Sequence, residues 1–201
     1  MTDRILIMRH LRFIARKLAE AIKRNTYTSP IGSLEERETG QVWPGSWVDA
    51  TGYDTKYSLG YHTGADLNLN SPHWNADAHS GVYSIGKGVV TYAQVYSKKV
   101  WGAIIIIDHG IVNGQPLISR YGHVENIQVE VGQKVGTGEQ IASVGNGEGL
   151  FSYHLHFDIS TTDILKEKPS HWPGHTRSLV HLHYVDPLEW LKAHVQKESY
   201  E

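Results

Sequence analysis

A mainly β domain of antiparallel strands, preceded by an amphipathic helix and closed by a short C-terminal helix, is the fold class this sequence predicts. Two observations carry that expectation. From about Tyr61 onward the chain breaks into short runs rich in β-branched and aromatic residues, punctuated by glycine. Its composition, 40% hydrophobic and 20% charged over 201 residues, is that of a chain that folds.

Residues 1–24 form the first element. Ile7, Leu11, Ile14, Leu18 and Ile22 recur at helical spacing and make one apolar stripe. Seven basic residues stand here against two acidic ones, leaving 12 basic against 19 acidic in the remainder. A basic amphipathic helix of this kind fits contact with a membrane surface or an acidic partner; the alternative is packing on its own domain. Arg9 and Arg12 interrupt the apolar run before it reaches the ~7–15 residues of a secretory signal. No stretch approaches the ~18 apolar residues of a transmembrane span.

Residues 25–60, with Ser29-Pro30, Gly32-Ser33 and Trp43-Pro44-Gly45, read as a linker wrapping onto the main domain. Residues 61–192 make up the β domain. Strands are expected at 81–85, 88–93, 102–107, 117–121, 127–131, 140–144 and 153–159, with an insertion loop over 161–180. Asp186 as N-cap and Pro187 at the first helical position open the C-terminal helix, and 193–201 form a tail.

The balance of 19 Lys and Arg against 21 Asp and Glu lacks the basic surplus of a nucleic-acid binder. Cysteine is absent, so disulfides, thiolate metal sites and a cysteine nucleophile are excluded, and a bound metal must rely on His, Asp or Glu. Thirteen histidines pose the question of scatter or convergence.

Four segments compete for them. His62 and Asp66 flank Gly64; in an extended strand they would lie ~13 Å apart, too far to share an ion, and Gly64 lets the chain bend. His154 and His156, at i and i+2 in a predicted strand, share one face, so that one can ligate a metal while the other reaches a substrate or water bound to it. A second such pair, His181 and His183, precedes the C-terminal helix. About 0.8 His-x-His pairs are expected by chance at this histidine frequency, so the dipeptide alone does not choose between them. His123 ends a predicted strand in Arg120-Tyr121-Gly122-His123.

The joint order does choose. His62-x-Gly64-x-Asp66, then Tyr121-x-His123, then the Gly-rich segment Val129 to Ala142, then His154-Leu-His156-Phe closely resembles the lysostaphin-type zinc endopeptidases, which cleave peptidoglycan. The likeness runs from about Tyr61 to Leu191. It implies a lysostaphin-like β-sheet domain that binds one zinc ion per chain through His62, Asp66 and His156, with His123 and His154 as catalytic histidines. Peptidoglycan peptides would be its substrate, extracytoplasmic or phage-released its place of work. A zinc held by two histidines and one carboxylate keeps an open position, as a catalytic zinc requires. Tyr53 or Tyr57 would donate a hydrogen bond to the developing oxyanion. The same fold as a non-catalytic peptidoglycan-binding or regulatory module is the alternative.

Departures from the family pattern fall in two places. A longer loop, Leu67 to Gly81, carries His73, Asp77 and His79 and reads as plain surface, and the turn Gly145 to Tyr153 brings Phe151 and Tyr153 to the cleft floor. Val129 to Ala142 also resembles the hairpin of lipoyl or biotinyl carriers, but neither methionine lies near Lys134, so a carrier role is set aside. His109, at a strand end, reads as structural, and His181 and His183 as loop or packing residues.

Overall fold

The computed structural model describes residues 27–39, 46–97 and 100–195. Residues 1–24, which read as the basic helix, lie outside the described residues, as does 196–201 of the tail. In chain order the strands are β1 (Val48–Asp49), β2 (Lys56–Tyr57), β3 (Gly60–Tyr61), β4 (Ala65–Asn68), β5 (Gly81–Tyr83), β6 (Gly88–Ser97), β7 (Gly102–Val112), β8 (Gln115–Glu125), β9 (Lys134–Val135), β10 (Gln140–Val144), β11 (Leu155–Ser160) and β12 (Tyr184–Val185). The helices are α1 (Leu34–Thr39), α2 (Ile164–Glu167), α3 (Arg177–His183) and α4 (Pro187–His194).

The main sheet runs β1-β4-β11-β8-β7-β6-β9, with β10 joining β8 and β5, and β12 edging β11. Every pairing between described strands is antiparallel. Side chains alternate between the two faces of such a sheet, and here both faces are covered. Ile105 and Ile107 of β7 enter the larger core with Tyr121, Phe157 and Leu67, whereas Ile104 and Ile106 enter a second cluster with Trp101, Ile118, Leu165 and Tyr184. The unbroken isoleucine run is therefore a central strand buried on both sides.

The segment that reads as a linker contributes to the larger core through Ile31 and Trp47, both buried. Ser33 and Glu36 cap α1 reciprocally: the Ser33 N–H donates to the Glu36 carboxylate at 2.8 Å, and the Glu36 N–H to Ser33 Oγ at 3.2 Å. The expected strand at 127–131 is not one. Its chain instead runs outside the ladders between β8 and β9, turns at Gly132, at φ 90°, and makes isolated backbone bonds, Gln128 N–H to the Ile141 carbonyl among them. The expected loop over 161–180 holds α2 and the start of α3, so His181 and His183 stand on a helix rather than in a loop. α4 opens as expected, with Asp186 accepting from the N–H groups of Leu188 and Glu189. Among the described residues no helix is long and apolar enough to cross a membrane.

Gly64, between β3 and β4, is required by close approach. A Cβ there would sit 2.1 Å from the carbonyl oxygen of Phe157 on β11. Gly64→Ala is therefore expected to force β4 away from β11 and to destabilise the protein by roughly 1–3 kcal/mol or more, measured by urea unfolding. An unchanged unfolding midpoint would refute the contact.

Candidate metal centre

Strand register builds the centre on the face of the sheet opposite the larger core. On β11, Leu155, Phe157 and Ile159 fill that core, so alternation turns His156 and Asp158 to the other side. On β4, Ala65 and Leu67 do the same and turn Asp66 outward. The register pairs Asp66 with His156 and His156 with Gly122 of β8. His62 approaches from the turn between β3 and β4.

Three donor atoms converge. His62 Nε2 lies 3.1 Å from Asp66 Oδ1 and 3.1 Å from His156 Nδ1, and His156 Nδ1 lies 3.0 Å from Asp66 Oδ1. Among the described residues these three form the group able to hold a metal ion. The structure thus brings together the three residues expected to be ligands. His73, Asp77 and His79 of the 69–80 loop do not join them; His79 instead pairs with Glu125.

His123 and His154 flank the cluster, with ring centroids 4.7 Å apart. His123 reaches this face through a β-bulge. The pairing of β7 with β8 slips between Ala103–Val124 and Ile104–Gly122, and His123, the extra residue, takes a left-handed backbone with φ 60°. Tyr121, two residues earlier, belongs to the larger core, so strict alternation from it would have buried His123 there; the bulge lets Val124 return to that core instead. Its Nδ1 meets the Trp101 carbonyl at 3.1 Å, and that of His154 meets the Ser152 carbonyl at 2.9 Å. A carbonyl only accepts, so each Nδ1 carries a proton, and in the neutral ring the Nε2 is the nitrogen that keeps a lone pair. His154 Nε2 lies 3.8 Å from Asp66 Oδ1.

Behind His156 stands a pair that the sequence reading did not single out. His156 Nε2–H donates to Asp158 at 2.9 Å, and Asp158 accepts from Arg120 Nε at 2.5 Å. Arg120 and Asp158 are both wholly buried and directly opposite in register. The other Arg120 nitrogens donate to the carbonyls of Pro169 and His171 and to Thr63 Oγ1. Asp158 had one available signal, its position two residues past His156 on the same strand face. Arg120 had none locally.

Electrostatics follow the geometry. Burial disfavours charge on His156, but Asp158 and then Asp66 outweigh it and push its pKa up to about 9. Burial also works against ionised Asp66, yet hydrogen bonds from His156 and His62 hold it well below the usual carboxylate range. Burial, then the neighbouring charges of His154 and His156, pushes His123 well below its ordinary value, so that imidazole is neutral.

Aromatic side chains wall the centre. Trp101 stacks on His123 with centroids 5.9 Å apart, Phe151 lies 4.8 Å from His123, and Trp172 lies 6.0 Å from His62. The two expected tyrosines separate: Tyr53 spends its hydroxyl on the Tyr184 carbonyl at 2.9 Å, whereas Tyr57 meets His62 edge to face with ring centroids 5.9 Å apart. His109 bonds Lys87 and Ser119 away from the centre, His181 an aspartate, Asp54, and His183 Thr162.

A family model described as peptidase family M23 matches residues 60–169. The peptidoglycan DD-endopeptidase ShyA of Vibrio cholerae is 33% identical over 78 residues, 39% of this chain but only 17% of that protein. The antimicrobial peptidase lysostaphin of Staphylococcus simulans superposes with a TM-score of 0.55 at 20% identity, covering 88% of this chain and 58% of that one. Its catalytic domain gives 0.50 at 22% identity over 77% of this chain and 97% of that domain. Both likenesses concern the fold.

In the metal-free protein His156 is expected to titrate near 9, and Asp158→Asn to lower that value, read from imidazole proton shifts by NMR. A histidine whose folded pKa exceeds its unfolded 6.5 lends stability below 6.5 that is lost as pH rises through about 9. The thermal midpoint of metal-free wild type should therefore fall across that window, and less so in Asp158→Asn. Equal slopes for the two proteins would contradict the assignment.

Proposed function

The chain belongs to peptidase family M23, and on that premise we propose that it is a zinc-dependent endopeptidase cleaving peptide stems or cross-bridges of bacterial peptidoglycan, at work outside the cytoplasm. The observation that carries this reading is the convergence of His62, Asp66 and His156 beside two histidines whose Nδ1–H groups are tied to backbone carbonyls.

The donor set fits zinc. With bonds of ~2.0–2.1 Å, tetrahedral ligands stand about 3.3 Å apart; the three donor atoms here are 3.0–3.1 Å apart. His156 also has the outer-shell carboxylate, Asp158, that metal-ligating histidines commonly have. His62 Nε2, Asp66 Oδ1 and His156 Nδ1 would hold the ion. When bound, zinc supplies an open position at which water is acidified and a peptide carbonyl polarised.

The rest falls to the chain's own side chains. His154, its Nδ1–H fixed on Ser152, accepts the proton of the attacking water at Nε2 and passes it to the leaving amine. His123 stays neutral and orients the water by accepting its second hydrogen at Nε2. The Tyr57 hydroxyl, without a hydrogen-bond partner among the described residues, donates to the developing oxyanion. Trp101, Trp172 and Phe151 narrow the approach and thin the water around these groups, which strengthens every polar contact inside.

Purified protein is expected to carry near-stoichiometric zinc by elemental analysis and to release peptide fragments from sacculi, identified by mass. His154→Ala should abolish release, a loss of at least ~10²-fold, while leaving zinc bound; His156→Ala should lose both. Failure to bind zinc after reconstitution would sink the proposal.

A further inference from the structure

β11 stops pairing with β4 at Leu155, which faces Leu67. His154 therefore stands one residue outside the ladder, where no strand partner fixes it. Three bonds from elsewhere take over. The His154 N–H donates to the Gly145 carbonyl at 3.2 Å. The Tyr153 carbonyl accepts from Asn68 Nδ2 at 3.0 Å, and the Tyr153 N–H donates to Asn75 Oδ1 at 3.2 Å. Both polar groups of the residue preceding His154 are thus held by asparagine side chains.

The two asparagines have different standing. Asn68 ends β4, two residues past Asp66 on the same strand face, so the sheet fixes it. Asn75 lies within the 69–80 loop in a left-handed backbone with φ 57°, a conformation asparagine adopts more readily than most residues. The loop is anchored: Leu69 N–H donates to Asp77 Oδ2 at 3.2 Å, His79 N–H to the Val144 carbonyl at 3.1 Å, and Val144 N–H to the Ser80 carbonyl at 2.7 Å.

We propose that Asn75 is a positioning residue for His154, and that the 69–80 loop acts together with Asn68 of the sheet in deciding where His154 Nε2 stands relative to Asp66. The inference rests on the proposed proton-handling role of His154. Without the Asn75 acceptor the Ser152–Tyr153 peptide, whose Ser152 carbonyl holds His154 Nδ1, loses the bond on its N–H, and the His154 ring shifts with that carbonyl. A displacement of about 1 Å from a productive geometry costs up to ~10²-fold in rate. Asp66 and His156 sit on paired strands and His62 is untouched, so metal binding is unaffected.

Asn75→Gly keeps the left-handed backbone and deletes the acceptor, whereas Asn75→Asp keeps both. With soluble peptidoglycan fragments, Asn75→Gly is expected to lose roughly ten- to a hundredfold in kcat at wild-type KM and zinc content. Its Tyr153 amide should also exchange hydrogen faster, and Asn75→Asp should restore both properties. Fast exchange with wild-type kcat overturns the positioning role while leaving the functional reading intact, provided His154→Ala is inactive. Unchanged Tyr153 exchange, or loss of zinc, in Asn75→Gly also overturns it. Wild-type activity in His154→Ala, or no release by the zinc-loaded wild type, overturns the functional reading and this inference with it.

Discussion

The buried ion pair between Arg120 and Asp158 is the interaction on which the rest of the centre depends. Both side chains are removed from water, a state that is costly unless each charge is fully partnered. Asp158 takes both Arg120 and the His156 ring on Oδ2, leaving its buried Oδ1 without a hydrogen-bond partner among the described residues, and Arg120 spends its remaining donors on two backbone carbonyls and a threonine. One residue on β8 thereby fixes the orientation of His156 on β11 and the path of the 169–171 segment leading to Trp172. Cross-strand register makes this possible, since Arg120 and Asp158 are direct neighbours.

The cluster in front of that pair is a concentration of electron density. Two imidazole nitrogens and a carboxylate oxygen lie about 3 Å apart, an arrangement that calls for positive charge among them. The upward shift of His156 and the downward shift of Asp66 express that one demand from its two sides. His123, a few ångströms away, is pushed the opposite way by burial. Two imidazoles of one site are thus pushed in opposite directions by their surroundings.

Walls and centre are joined by aromatic contacts. Trp101 stacks on His123, meets the edge of His156, carries the Arg120 guanidinium on its ring at 4.2 Å, and touches Trp172. The 161–180 segment, which reads as an insertion loop, delivers Trp172 to the opening and is tied to the sheet by Arg120. Its anchoring is invisible in the sequence because the bonds run to backbone carbonyls, which any residue offers.

Local chemistry and order along the chain sufficed for much of this. The glycine-punctuated β runs foretold an antiparallel β fold, Asp186-Pro187 foretold a capped helix, and the order His62, Asp66, His123, His154, His156 picked out the residues that converge. Two things lay beyond the sequence. The side on which His123 stands depends on a bulge, and alternation from Tyr121 alone would have sent it into the core. What supports His154 and His156 comes from Asn75, Arg120 and Asp158, whose roles are set by which strand lies next to which and where each pairing stops. Residue types and spacing determine what chemistry this chain holds; only tertiary packing decides where each group points, because register and bulges are settled by burial of both faces of the sheet at once.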